Sequence, residues 1–335
     1  MLLRHLTRKG ISVTAAEVTA GNRRWSIECA DVLDWLASLP NDSIDLLFTS
    51  PPYERARTYG IGFSLAGQAW VDWMFKVITA AAPKVTGLIA VNCEGQTRGY
   101  KYSATPFLLV ADLHRVGFNL RKPVVYERDG IAGSGGPDWL KNRWEPIICV
   151  TRKGRLPWSD NTAMGHKPKH APGGAMSHRN ITGERVNAQT TTRRNRERVE
   201  PQVAAAINGT IELPRGSRLC RMSQSDGTMR TKLYRPPDIA NPGNVIHCVT
   251  GGGHMGASSA CENEAPFPLE LATFFVRSFC RPDGIVCDPF SGSGTTAHAA
   301  IEWGRRFIGC DVRQSQVDLT TRRMGTVQPV LEGLA

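Results

Sequence analysis

The chain has no C-x-x-C pair among its nine cysteines, no long apolar run, and few aromatic residues (7%). Each shortage removes a class. Structural zinc sites use thiolates paired at short spacing, so the scattered cysteines argue against a zinc module and no metal is expected. Several of them sit inside apolar runs, as in Ile147-Ile148-Cys149-Val150. They are expected to be reduced core thiols rather than a disulfide framework. A membrane-spanning helix needs roughly 20 consecutive apolar residues, and no stretch approaches that. At the N-terminus Arg4, Arg8 and Lys9 interrupt Leu2-Leu3 at once. No signal peptide is read there, no membrane association is expected, and a cytoplasmic location is. What remains is an ordinary globular composition, 41% hydrophobic and 21% charged over 335 residues. That is enough to bury a core without covalent staples.

The net charge is +11, and its distribution is uneven. Residues 151–245 hold 17 Lys and Arg against 7 Asp and Glu, a net of +10. Localised positive charge of this kind suits phosphate contacts, so a nucleic-acid partner is one reading. A disordered basic insertion is the other. The same segment is rich in Gly, Pro, Asn, Thr and Arg and shows little periodicity. Its most basic run is Thr191-Thr192-Arg193-Arg194-Asn195-Arg196-Glu197-Arg198.

On either side the pattern alternates short apolar runs with helix-like stretches. Strands are expected at 25–29, 44–49, 87–91, 124–126 and 147–150, with helices from Val32 to Leu39 and over 70–82 and 106–116. After the insertion a helix is expected at 268–279, a strand at 284–287, a helix at 297–303 and a strand at 306–310. Such alternation predicts a mostly parallel sheet with helices on both faces. Three segments follow: 1–150 and 246–335 as two portions of one α/β sheet, and 151–245 inserted between them.

Two motifs carry chemistry. The strand at 284–287 runs into Asp288-Pro289-Phe290-Ser291-Gly292-Ser293-Gly294-Thr295-Thr296 and then a helix. Glycines in such a turn let backbone approach a ligand closely. Asp311 ends the next strand, where a carboxylate can accept from both hydroxyls of a ribose. The register of strand, turn, helix, strand and acid points to a nucleoside site. The turn lacks a full G-x-G-x-x-G, which argues against a dinucleotide, and lacks Gly-Lys-Ser/Thr, which argues against ATP hydrolysis. The second motif, Ser50-Pro51-Pro52-Tyr53, ends the apolar strand at 44–49. Its prolines lose their N–H donors but keep their carbonyls. A hydroxyl, carbonyl acceptors and an aromatic ring held at the C-terminal end of a sheet suit a flat base bearing an amino group.

Together these segments resemble the beta-class amino-methyltransferases of DNA, whose motifs read D-P-F-x-G-S-G-T-T and [DNS]-P-P-[YFW]. The order also matches: catalytic motif, target-recognition region, cofactor motif. Ala30-Asp31-Val32 and Leu39-Pro40-Asn41-Asp42-Ser43-Ile44-Asp45 are similar to the family's lead-in to the catalytic strand, and Pro266-Phe267-Pro268 to its remaining cofactor-pocket motif. Asn263-Glu264-Ala265 departs from the family, in which many members carry a histidine there. The resemblance does not cover the insertion.

It implies a Rossmann-like methyltransferase fold with a mostly parallel seven-stranded sheet, circularly permuted motif order and an inserted target-recognition region. It implies S-adenosyl-L-methionine as cofactor and double-stranded DNA as substrate, methylated by base flipping without a covalent intermediate. Ser50, Pro51, Pro52 and Tyr53 would be catalytic. Asp31, Phe267, Asp288, Phe290, Gly292, Ser293, Gly294, Thr295 and Asp311 would bind the cofactor. Arg193, Arg194, Arg196 and Arg198 would contact DNA. In this family Ser-Pro-Pro-Tyr goes mostly with cytosine N4 and Asp-Pro-Pro-Tyr with adenine N6, so cytosine N4 is the expected target and adenine N6 the alternative. Cytosine C5 chemistry needs a cysteine nucleophile, found in a Pro-Cys dipeptide, and none occurs. Methylation of a protein glutamine would call for Asn-Pro-Pro-Tyr after the glycine-rich motif, the reverse of the order here. A DNA-binding module without transfer activity is the reading from another class, and a labelled-methyl transfer assay separates it. A cognate restriction endonuclease acting on the same site, as in a restriction-modification system, and an oligomeric assembly are the further partners compatible with the family.

Overall fold

A computed structural model of the chain describes residues 14–55, 60–128, 135–168, 177–179, 185–187, 218–223, 229–234, 238–249 and 266–330. The chain falls into two compact units, Gly165–Asn241 and the remainder.

In the larger unit, helix α1 (Ala15–Thr19) precedes strand β1 (Trp25–Cys29). Helix α2 (Val32–Ser38) starts on the cap Asp31, whose carboxylate accepts from Leu33 N at 2.8 Å. Strand β2 (Ile44–Thr49) is buried nearly throughout. Helix α3 (Gln68–Ala81) buries Trp70, Met74, Val77, Ile78 and Ala81, the 3.6-residue spacing of one helical face. Strand β3 (Val85–Asn92), helix α4 (Thr105–Arg115, with Pro106 in its first turn), and strands β4 (Asn119–Leu120), β5 (Val124–Arg128) and β6 (Trp144–Thr151) follow. After the second unit come β7 (Val245–Cys248), α5 (Leu269–Phe279), β8 (Ile285–Asp288), α6 (Thr295–Glu302), β9 (Arg306–Asp311) and α7 (Gln314–Met324).

The strands form one sheet in the order β1-β9-β8-β2-β3-β6-β5-β7, with β4 paired to β6. Strands β1, β9, β8, β2 and β3 run parallel, β6 is antiparallel to both its neighbours, and β7 is parallel to β5. This is the expected mostly parallel α/β architecture, but with nine strands instead of seven. The additional pairings are the two-residue β4 and the edge strand β7. The latter is short and half exposed, so it lacks the continuous apolar run by which buried strands are recognised. Apolar side chains fill both faces. One layer packs Trp35, Trp70, Met74 and Leu109, and the other packs Phe48, Phe275, Ala297 and Phe307. In α6 the alanines 297, 299 and 300 are fully buried, which lets this helix lie close to its neighbours.

The central pairing joins distant sequence. Leu46 and Leu47 of β2 lie against Val286 and Cys287 of β8. Parallel strands end on one edge, so the segments following β2, β3, β8 and β9 emerge together there. The smaller unit contains two antiparallel pairs, Ser177–Arg179 with Arg185–Asn187 and Arg218–Ser223 with Met229–Tyr234. The expected irregular stretch therefore holds strands. Asp226-Gly227 between the latter two is a hairpin signal present in the sequence. Arg193, Arg194, Arg196 and Arg198 lie outside the described residues, as does Asn263-Glu264-Ala265.

Among the described residues no helix is long and apolar enough to cross a membrane, and no cluster of His, Cys, Asp and Glu is arranged to hold a metal. Cys93, Cys149, Cys248, Cys280, Cys287 and Cys310 are buried free thiols, and Cys29 is an exposed one. Burial pushes the Cys149 thiol up to about 12, which leaves it protonated and inert.

Candidate active site

Thr49, the last residue of β2, donates its hydroxyl to Asp288 Oδ1 at 2.6 Å. Asp288 ends β8, is fully buried, and also accepts from Thr296 Oγ1 at 2.7 Å and Phe290 N at 3.0 Å. Its carboxylate thus links the strand that carries Ser50-Pro51-Pro52-Tyr53 to the glycine-rich turn. Burial pushes its pKa up to about 6. The folded state therefore disfavours the ionised form relative to the unfolded chain. The resulting stability is fully present below about pH 4 and is lost as pH rises through about 6. An Asp288→Asn variant is expected to lose about 2 kcal/mol less unfolding free energy than the wild type between pH 4 and pH 7. Urea unfolding at both pH values measures this, and equal losses would assign the pH dependence to other groups.

The glycine-rich turn is braced from the C-terminal helix. Gly292 and Gly294 have φ of 51° and 74°, a region costly for side-chain-bearing residues. A Cβ on Gly294 would lie 2.8 Å from the Thr320 side chain, and Thr320 Oγ1 donates to Gly292 O at 2.9 Å. The glycines thus admit α7 as well as a ligand. Arg323, also on α7, donates to Ser293 O at 3.2 Å and to Thr295 Oγ1 at 3.1 Å. Burial lowers its pKa to about 10, so it remains a cation. Asp311 ends β9. It accepts from Gly292 N at 3.0 Å and Arg313 N at 2.9 Å, and its neighbour β1 brings Asp31 alongside through Ala30 N to Asp311 O at 3.1 Å. Phe290 packs at a tilt on Trp73 at 5.4 Å, and Phe267 edgewise on Phe48 at 5.5 Å. These two phenylalanines belong to different core layers, so they do not form one wall. The turn fits a polar nucleoside ligand on one further ground: Ser291 Oγ and Ser293 Oγ are buried without any hydrogen-bond partner.

At the other motif, Trp70 Nε1 donates to Pro52 O at 2.9 Å and locks the turn to α3. Tyr53 is half-buried and its hydroxyl donates to Glu145 Oε2 at 2.7 Å. It accepts from Asn92 Nδ2 at 2.8 Å and, at a long 3.4 Å, from Ser50 Oγ. Burial, and next the Glu145 carboxylate, hold the Tyr53 phenol well above its ordinary pKa, so it stays protonated. Asn92 Nδ2 also donates to Glu145 Oε2 at 2.8 Å, and Arg128 Nη2 pairs with Glu145 Oε1 at 2.9 Å. Asn92 Oδ1 is a buried acceptor with no partner.

Asn92, Arg128 and Glu145 were not singled out from sequence. Asn92 ends β3, Arg128 ends β5 and Glu145 is the second residue of β6, so only the sheet order gathers them. A signal existed for one of them: Glu145 is a charge within an otherwise apolar strand, and a buried charge calls for partners. Thr320 and Arg323 were missed as well, because α7 is too polar to announce a packed helix, and Trp73 because it lies off the buried stripe of α3.

Comparison with known proteins gives a consistent picture. Residues 44–322 match a family model described as DNA methylase, of the N6 and N4 type. The type II methyltransferase M.SfiI of Streptomyces fimbriatus is 22% identical over 96% of both chains. The DNA adenine methyltransferase YhdJ of Escherichia coli K12 is 22% identical over 91% of this chain and 84% of its own length. The solved structure of the PvuII DNA methyltransferase, described as cytosine-N4-specific, superposes with a TM-score of 0.57 at 18% identity. That match covers 93% of this chain and 89% of the other, a likeness of fold.

Proposed function

The chain belongs to the N6/N4 DNA methylase family, and we propose that it transfers a methyl group from S-adenosylmethionine to the exocyclic N4 of cytosine in duplex DNA. The observation that carries the choice of atom is Ser50 at the head of the catalytic turn, where the family's adenine-directed motif mostly has aspartate. The family likeness divides between an enzyme described as cytosine-N4-specific and one described as adenine-directed, so the weight falls on that residue. Adenine N6 is the second reading, favoured by the likeness to the adenine enzyme over most of this chain.

The cofactor supplies an electrophilic methyl group on a sulfonium. The chain supplies orientation and acceptors. An exocyclic amino nitrogen is a poor nucleophile because its lone pair is delocalised into the ring. Ser50 Oγ and the Pro51 carbonyl accept its two hydrogens and draw the nitrogen toward tetrahedral geometry, freeing the lone pair for in-line attack; on gaining the methyl group the nitrogen releases one of these hydrogens as a proton to solvent. Donation by Ser50 to Tyr53 supports this role, since it leaves the serine's lone pairs as acceptors. The Pro52 carbonyl is already engaged by Trp70. The Tyr53 ring stacks on the extruded base while its hydroxyl is held by Glu145 and Asn92. Asp311 would accept from the ribose, Asp31 would lie toward the adenine, and Phe267, Phe290 and the turn from Asp288 through Gly292, Ser293, Gly294 and Thr295 would line the remainder. Residues 151–245, with Arg193, Arg194, Arg196 and Arg198, are assigned to target recognition on their charge.

DNA from cells expressing the protein, digested to nucleosides and sequenced with modified-base detection, tests the reading. N4-methylcytosine at a defined site supports it, N6-methyladenine selects the alternative, and no modified base overturns both. For the cofactor site, Asp311→Ala is expected to weaken S-adenosylmethionine binding by about 1.5–3 kcal/mol, the worth of a hydrogen bond to a charged group. Calorimetry showing wild-type affinity would remove Asp311 from the site.

A further inference from the structure

Among the residues whose exposure is described, the exposed aromatic side chains are Tyr100, Tyr102, Phe107, Trp139 and Trp144, all between positions 100 and 144. Leu140, 93% exposed, lies among them. Single exposed apolar residues are ordinary, but a gathered set marks an interaction surface.

Two segments build it. Thr97–Arg98 pairs antiparallel with Lys101–Tyr102 across a two-residue turn in which both Gly99 (φ 52°) and Tyr100 (φ 63°) are left-handed. That is the backbone of a tight hairpin turn, whose second position glycine fills at least cost. Here a tyrosine occupies it, 72% exposed. A side chain kept where backbone strain opposes it points to a use for that side chain. The Tyr100 ring meets Trp139 edge-on at 5.6 Å. Trp139 in turn covers Gly136, where a Cβ would lie 2.3 Å from the indole. The two rings are therefore seated, not loose.

The hairpin is tied to the catalytic turn. Glu54, next after Tyr53 and buried, accepts from Gln96 N at 3.1 Å and Gly67 N at 2.7 Å. Gln96 O receives Ser103 N at 2.9 Å, which closes the base of the hairpin, and Tyr102 Oη donates to Glu94 at 2.7 Å. The hairpin follows the C-terminal end of β3, and residues 135–143 lead into the antiparallel β6. Both segments thus leave the edge of the sheet from which Ser50 and Tyr53 emerge.

Charge indicates the occupant. Residues 97–102 and 135–143 carry Arg98, Lys101, Lys141 and Arg143, all exposed, against one acid, Asp138. Lys101 and Lys141 have no ion-pair partner among the described residues. An interface between protein copies is typically depleted of lysine at its core. Aromatic and aliphatic wedges among cations are instead the means by which proteins enter a base stack while gripping phosphates. We propose that this surface is a second docking face for duplex DNA, distinct from residues 151–245. Tyr100 enters the stack at the place the extruded base vacates, and Lys101 and Lys141 hold flanking phosphates. The inference rests on the DNA methylase reading but not on which base is methylated.

The test uses the full-length protein, a labelled duplex carrying the site found by modified-base sequencing, and a labelled plasmid fragment of unrelated sequence. Tyr100→Asn removes the ring while keeping a residue that accepts the left-handed backbone. It is expected to weaken binding to the site duplex about tenfold, with the salt dependence and thermal midpoint of the wild type. The Lys101→Ala, Lys141→Ala double variant is expected to lower the slope of log affinity against log salt on both DNAs by about 0.9 for each phosphate no longer neutralised. Wild-type affinity and slope in all variants would overturn the inference. So would a change confined to self-association, read by sedimentation, which would make the patch an interface between copies. The plasmid fragment needs no mapped site and no methyl transfer. If expressing cells yield no modified base, the salt-slope arm still decides whether Lys101 and Lys141 touch DNA.

Discussion

Replacing Ser50 with alanine is expected to lower the single-turnover rate of methyl transfer about a hundredfold or more, the usual effect of deleting one polar group that stabilises a transition state. Affinity for S-adenosylmethionine should persist, because no hydrogen bond from Ser50 reaches the glycine-rich turn. Its one described bond goes to Tyr53. The fold should persist as well, since Thr49, not Ser50, makes the buried link to Asp288. The readout that separates catalysis from binding is the rate with protein in excess over DNA, set beside calorimetry with the cofactor alone. A Ser50→Ala enzyme with the wild-type rate would remove the serine from the reaction and leave the carbonyl of Pro51 as the amino group's acceptor. Loss of cofactor affinity in step with rate would show that the turn, and not the hydroxyl, had been disturbed.

The largest effect on stability should come from Glu145→Ala. The Glu145 side chain is 6% exposed and that of its partner Arg128 17%. Removing one member of a buried pair strands the other charge, at a cost of about 3–5 kcal/mol. Here the cost extends further, because Tyr53 and Asn92 also lose their acceptor. Glu145→Gln keeps the shape and an acceptor oxygen and should be milder. The two variants diverge in what they report. If Glu145 only supports the fold, then Glu145→Gln should leave the rate per folded molecule unchanged. If it orients the Tyr53 ring, the rate should fall while the cofactor still binds. Urea unfolding measures the first quantity and single-turnover methylation the second. A Glu145→Ala protein as stable as the wild type would mean that Arg128 finds water or another acceptor once the carboxylate is gone.

The strands and helices that flank these residues were legible because their side chains alternate or recur with the period of the element. Ile44–Thr49 is a mostly apolar run bounded by turn residues, Trp25–Cys29 alternates apolar with polar residues, and Gln68–Ala81 shows its buried face at 70, 74, 77, 78 and 81. Gln314–Met324 was not legible. Its mean composition is polar, and its few buried apolar residues, Val317, Leu319 and Met324, are joined by Thr320 and Arg323 reaching into the glycine-rich turn. The edge strand Val245–Cys248 was missed for a related reason, since a short half-exposed edge carries little hydrophobic signal.

The sequence by itself determined the α/β class, the two chemical motifs, their order, and the concentration of positive charge between them. Those are properties of local composition and spacing, which survive in one dimension. Only the tertiary structure decided that Thr49 and Asp288, 239 residues apart, share a hydrogen bond. It also decided that Asn92 and Glu145 hold the Tyr53 hydroxyl while Arg128 pairs with Glu145, and that an aromatic hairpin is tied to the residue following Tyr53. Those are consequences of strand order. The pairing of β2 with β8, and the reversal at β6, are set by which faces can be buried together, and no local pattern encodes that choice.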